Sequence, residues 1–212
     1  MTSAGIAARP PMAMADEETP SAPHAESIDA VLMARAGQGD HAAFRELVER
    51  HQNVVIGTVA KMLGDHTEAE DIAQQVFIRL WRHAKNYRPE AKFTTYLFTI
   101  ARNLVFNESR RRSRKKEVSI EEREEAANFH VVATAEREPD VALLQGELQQ
   151  AVDRAISSLP EAQRVAVILR RYEQMPYDEI GKVLDLSVPA IKSLLFRART
   201  TLRDALRDYL DE

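Results

Sequence analysis

Apolar residues in this chain recur every three or four positions and rarely every second one, which predicts amphipathic helices rather than strands. The run FRELVERHQNVVIGTVAKMLG spaces Phe44, Leu47, Val48, Val55, Val59, Met62 and Leu63 as one buried helical stripe, and Gly64 marks its stop. Thr67 followed by Glu70 reads as a capping box, in which the hydroxyl accepts a free backbone N–H and the carboxylate reaches back. The helix behind it carries Ile72, Val76 and Leu80 on its apolar stripe, joined by Phe77 and Trp81. A further run, KFTTYLFTIARNLVFNESRRRSRKK, places Phe93, Leu97, Ile100, Ala101 and Leu104 on one face. Thr95, Thr99, Arg102, Phe106 and Arg110 lie opposite. Helical periodicity begins near Ile28 and persists, with interruptions, to about Arg112.

The pattern returns from Val141 and continues to Tyr209. Pro160 sits near a helix N-terminus, where its missing N–H costs nothing. Within MPYDEIGKVLDLSVPAIKSLLFRARTTLRDAL, a short helix over Tyr177 to Leu184 buries Ile180, Val183 and Leu184. A brief turn at Asp185 and Leu186 follows, with Ser187 placed as the next N-cap and Pro189 in the first turn beyond it. Two short helices with such a turn make a helix-turn-helix, whose second helix can enter the DNA major groove. Its core stripe is expected to be Val188, Ile191, Leu195, Ala198 and Leu202. Its outer face is expected to carry Pro189, Lys192, Ser193, Phe196, Arg197, Thr200 and Arg203.

The expected fold is all-α: two small helical domains, over residues 28–114 and 145–210, joined by a flexible charged linker over 115–144. A disordered tail rich in Ala, Pro, Ser and Glu is expected to precede them over 1–27. With 212 residues, neither bundle is large enough to build a deep catalytic cleft easily. No apolar run approaches the roughly 18 residues of a membrane span, and no secretory signal is apparent. The absence of cysteine rules out disulfides and thiol chemistry and agrees with a cytoplasmic location.

The net charge of −4 argues against nucleic acid until its distribution is considered. Lys92 to Glu117 carries a net +6 and Ser187 to Arg207 a net +4, with a net −5 between Glu117 and Glu138. Two basic islands separated by an acidic stretch look like two nucleic-acid footprints, although either island alone could be a solvated face. In the first island, aromatics interleave with basic and small polar residues, which suits unpaired bases stacking on rings while phosphates meet cations. Otherwise Tyr96, Phe98 and Phe106 would complete a small core. The acids Glu68, Glu70 and Asp71 suit the positive end of a helix dipole and need no further role. His24, His41, His51, His66, His83 and His130 show no metal-ligand spacing, and no Gly-rich phosphate loop appears. A helical enzyme therefore has little support, and no metal or cofactor is expected.

Three motifs in order, EAEDIAQQVFIRLW, FTTYLFTIARNLVFNESRRR and LPEAQRVAVILRRYEQMPYDEIGKVLDLSVPAIKSLLFRARTTLR, closely resemble bacterial sigma-70 family factors of the extracytoplasmic-function (ECF) type. The resemblance implies a monomeric specificity subunit of RNA polymerase, not an enzyme and not inserted in a membrane. Asp71, Gln74, Gln75, Phe77 and Ile78 would dock on the clamp-helix coiled coil of the polymerase β′ subunit. Tyr96, Thr99, Arg102, Asn103, Phe106, Arg110 and Arg111 would open the −10 element and capture a flipped base. Ser187, Pro189, Lys192, Ser193, Phe196, Arg197 and Arg199 would read the −35 element, in a domain that also touches the β flap. An anti-sigma factor is a further implied partner. Gln75 stands where the family more often has Glu, Tyr96 where Trp is common, and Leu194 where the recognition helix frequently has Arg. The competing reading is a helix-turn-helix regulator that acts on promoter duplex without core polymerase.

Overall fold

The computed structural model describes residues 23–65, 67–89, 91–118 and 139–209, and these hold eight α-helices and no strand. Helices α1 (Pro23–Gly37), α2 (His41–Leu63), α3 (Ala69–His83) and α4 (Phe93–Val118) form the N-terminal bundle. Helices α5 (Pro139–Ser158), α6 (Glu161–Arg171), α7 (Tyr177–Leu184) and α8 (Val188–Ala205) form the C-terminal one. Three ends move relative to the sequence expectation. α1 begins at Pro23, ahead of Ile28, because proline is tolerated in a first helical turn. α4 runs on through its Arg- and Lys-rich end to Val118, since both residues are good helix formers and suit a helix C-terminus. α5 begins at Pro139, inside the expected linker. The remaining tail and linker expectations, over 1–22 and 119–138, lie outside the described residues.

Local chemistry sets the helix ends. Asp40 caps α2, accepting from the amides of Ala42 and Ala43 at 3.0 Å each. Arg35 donates to the same carboxylate at 2.7 Å, so α1 is tied to the start of α2. The Ala43 amide and then Arg35 hold the Asp40 carboxyl below its ordinary range. Gly64 ends α2 as expected, in the left-handed region at φ 70° with its N–H on Ala60. The Thr67–Glu70 capping box does not form. Asp65 takes the Thr67 amide at 2.8 Å instead, and Glu68 occupies the N-cap without a side-chain bond. Glu70 and Asp71 do lie in the first turn of α3, where the dipole favours them.

The two bundles do not stand apart. One apolar cluster runs from Leu47, Val59, Phe93 and Leu97 through to Ile156, Ile168, Ile180 and Ile191. α2 packs on α5 and α6, and α4 packs on α7. Four polar contacts stitch the seam. The Thr58 hydroxyl donates to Glu173 at 2.5 Å, and Lys61 lies 4.9 Å from the Tyr172 ring centroid. The Thr95 hydroxyl donates to Glu179, and the Arg102 guanidinium donates twice to the Val183 carbonyl, at 2.9 and 2.6 Å.

Candidate nucleic-acid interface

The helix-turn-helix has the expected frame. Ser187 caps α8 by accepting from the Ala190 amide at 3.4 Å, and Pro189 follows in the first turn. Asp185 turns the chain through the left-handed region at φ 58°. Leu186 then donates its N–H to the Gly181 carbonyl at 2.9 Å. The turn comes so close to α7 that a Cβ on Gly181 would meet the Leu186 carbonyl oxygen at 2.6 Å. Only glycine fits there without displacing backbone, and sequence periodicity alone carried no sign of it.

Ile191, Leu194, Leu195 and Ala198 anchor α8, while Lys192, Ser193, Phe196, Arg197 and Arg199 face outward. Phe196 is 68% exposed, a large ring left in water on a basic face. One expectation for this helix fails, and one residue joins the expected core stripe. Val188 is exposed rather than core, because the first turn precedes the point where α8 meets its neighbours. Leu194 is buried, only 8% exposed, since it lies three residues after Ile191 on the same face. The leucine at this position is part of the core.

The α4 face is divided. Asn103, Arg110 and Arg111 are exposed, and Tyr96, Thr99, Arg102 and Phe106 are half-buried. Asn107, Arg110, Arg111 and Arg114 line an open basic groove. Arg102 stacks on Phe106, with its guanidinium carbon 5.3 Å from the ring centroid. Burial under α7 pulls the Arg102 pKa below its usual value. Thr95, expected on the open face, is 2% exposed because Glu179 of α7 covers it. Of the three rings that could have been core, Phe98 is, whereas Tyr96 and Phe106 keep an accessible edge. Arg111 pairs with Glu108 at 2.7 Å, and Arg112 bridges Asp65 and Glu68 at 3.1 Å each. The Arg112 pairs, with Arg111 reaching Glu68 at 3.4 Å, clamp the basic end of α4 to the start of α3. Arg111 first, through its hydrogen bond and charge, and then Arg112 hold the Glu108 carboxyl below its ordinary range, against the opposing effect of burial.

A third face lies on α3. Asp71, Gln74, Gln75 and Ile78 are exposed side by side, and Ile78 keeps 49% of its surface in water. Phe77 does not join them. It is 8% exposed and belongs to the core with Ile72, Val76 and Leu80, as its place in the apolar stripe requires.

Sequence and structure comparisons place the chain in a family. The sigma-70 region 2 family model matches residues 47–115, and the sigma-70 region 4 model matches residues 149–202. The chain is 34% identical to the RNA polymerase sigma-H factor of Pseudomonas aeruginosa, over 87% of this chain and 96% of that one. It is also 34% identical to the ECF RNA polymerase sigma-E factor of Escherichia coli, over 86% and 96% respectively. The chain belongs to the ECF group of the sigma-70 family. Among solved structures, CnrH in complex with the cytosolic domain of CnrY superposes with a TM-score of 0.62 at 25% identity. That match covers 85% of this chain and 98% of CnrH. In sigma-factor terms, α2 to α4 make up most of region 2, and the matched part of region 4 runs from α5 into α8. Region 4 therefore contributes both an open recognition helix and, through α7, the cover on Thr95. Among the described residues, no helix of this sigma factor is long and apolar enough to cross a membrane, and no cluster of His, Asp and Glu could hold a metal ion.

Proposed function

We propose the following division of labour for this sigma factor, which binds core RNA polymerase and directs promoter-specific transcription initiation. Region 4, over 145–210, reads duplex DNA at the −35 element through Ser187, Pro189, Lys192, Ser193, Phe196, Arg197 and Arg199. The cations hold phosphates, while Phe196 supplies an apolar surface for a thymine methyl in the major groove. Region 2, over 28–114, holds the melted −10 strand with Tyr96, Phe106, Thr99, Asn103, Arg102, Arg110 and Arg111. The rings give stacking surfaces and the arginines meet phosphates. Asp71, Gln74, Gln75 and Ile78 form the polymerase-docking face, and Phe77 supports them from beneath.

The single observation that carries this reading is the open basic face of α8, with Phe196 at its centre on a fully packed scaffold. The chain lends recognition and strand opening to a core that performs the chemistry, so it has no catalytic step of its own and works in the cytoplasm. An anti-sigma factor is its expected regulator. CnrH was solved with the cytosolic domain of another protein, CnrY, seated on it, which supports a partner of this kind. The test is transcription by purified core polymerase on genomic templates. Promoter-dependent transcripts appear only when the chain is added. Specific binding to promoter duplex by the chain alone, with no such transcripts, would establish the independent regulator instead.

A further inference from the structure

The exposed face of α3 does not stop at Ile78. Trp81 follows it by three residues and Gln74 by seven, so helical spacing carries the indole along the same side of the helix. The ring is half-buried against the core. Phe44 of α2 meets it in a tilted pair at 4.9 Å, and His41 stacks on it at 4.8 Å with 29° between the planes. Local helix chemistry does not ask for a histidine at this place. His41 is the first residue of α2, behind the Asp40 cap, and the first turn holds no acid. A cation there would meet the positive end of the dipole, and a neutral imidazole has a poorer helix propensity than alanine. Closing the end of the bundle accounts for Phe44 against the indole. It does not account for a second ring that is itself exposed.

We propose that the polymerase-docking face continues past Ile78 onto the start of α2, where Trp81 is a contact for core polymerase and His41 is the positioning residue that holds its ring. The proposal rests on the assignment of α3 to core polymerase. Asp71 to Ile78 covers about 10 Å of helix axis. Reaching Trp81 lengthens the ridge to about 15 Å, and His41 carries it to a second helix about 8–10 Å away. The chemistry along this ridge is ordered, from the carboxylate of Asp71 through the amides of Gln74 and Gln75 and the aliphatic Ile78 to the π surface of Trp81. The polymerase element that fits it offers a cation opposite Asp71 and hydrogen-bonding groups opposite the glutamines. Opposite Ile78 and Trp81 it offers an apolar or guanidinium-bearing side chain. A tryptophan already held by two rings loses little freedom on binding, which is how a buried anchor gains affinity.

Trp81 is the single tryptophan of the chain, which makes the contact observable. Full-length chain grown with 5-hydroxytryptophan in its place is excited where the ordinary tryptophans of core polymerase do not absorb. Access of acrylamide to this ring, read as quenching of its emission, should fall at least about twofold when core polymerase is added, because an interface anchor is shielded from solvent. Unchanged access in the complex overturns the proposal.

His41→Ala tests the positioning role. It should raise acrylamide access to Trp81 in the free chain and weaken core binding by about two- to tenfold, the worth of one stacked ring pair. His41→Phe restores a ring without the imidazole, and core affinity should return with it. Binding to a −35 duplex and the unfolding midpoint should stay the same in both variants, since residue 41 is exposed. Unaltered core affinity in His41→Ala, or no recovery in His41→Phe, overturns the proposal. Ile78→Ala separates it from the reading beneath it. If Ile78→Ala weakens core binding and His41→Ala does not, the extension falls while the α3 assignment stands. If neither weakens it, the α3 assignment itself falls and takes the extension with it.

Discussion

Helices α4 and α8 are both basic, both carry exposed or half-exposed aromatics, and both are assigned to DNA, yet the fold treats them in opposite ways. α8 buries Ile191, Leu194, Leu195 and Ala198 within its own domain and presents a clean outer face. α4 is gripped on two fronts, by α3 through Arg111 and Arg112 and by α7 through Thr95 and Arg102. A duplex-reading surface can stay open because duplex DNA is always available in the same shape. A strand-capturing surface acts only once the duplex is opened. The difference between the two helices therefore matches a difference in when each is needed.

Substitutions that separate packing from reading sharpen this contrast. The largest effect is expected from Phe77→Ala, which should lower stability by about 3–5 kcal/mol, whereas the neighbouring Ile78→Ala should leave thermal unfolding nearly unchanged. Core pull-down alongside the melting curve separates the two, with Ile78→Ala losing polymerase and keeping its fold. Phe77→Ala with a wild-type melting temperature would return Phe77 to the docking face. Gly181→Ala comes next. Its new Cβ drives into the Leu186 carbonyl, so destabilisation of about 1–3 kcal/mol is expected, with loss of duplex binding as the α7–α8 turn shifts. Circular dichroism melting and mobility shift on a −35 duplex read both.

Phe196→Ala should do the reverse, costing about 1–3 kcal/mol in −35 affinity while stability stays within about 0.5 kcal/mol. Wild-type promoter choice in this variant would remove the ring from the reading face. The smallest effect is a pH dependence of the seam. Burial pushes the Glu173 carboxyl above its ordinary value of 4.5, against the opposing pull of Thr58 and Lys61. A raised pKa in the folded chain means that its stabilising contribution is full below the ordinary carboxylate range. That contribution is lost as pH rises through the raised value. Thermal stability should therefore decline slightly, through this group, on going from acid to neutral pH, and Glu173→Gln should flatten that part of the melting profile.

What the sequence made legible was local. The bounds of α7, the cap at Ser187, the proline after it and the outward Phe196 all follow from spacing within about a dozen residues, where periodicity and capping are strong signals. Leu194 was left out of the expected core stripe because a stripe of every fourth residue omits the third, although both lie on one helix face. The capping box failed for a similar reason. Asp65, two residues upstream, offers the Thr67 amide a nearer acceptor. The seam was illegible for another cause. Thr58 and Glu173 are 115 positions apart, and nothing in either neighbourhood announces the other. Thr95 could be placed on the correct face of α4, but not covered, until the partner surface was known.

The interleaving within α8 has a further consequence. Ile191, Leu194, Leu195 and Ala198 form one message, addressed to the scaffold, and the exposed Lys192, Ser193, Phe196, Arg197 and Arg199 form a second, which the proposed function addresses to the promoter. The two messages share a helix without sharing a residue, and the glycine-tight turn holds that helix at a fixed angle whatever its outer letters spell. On the proposed assignment, retargeting is an exercise in rewriting the outward positions of α8, and a lineage can acquire a new regulon without renegotiating its fold.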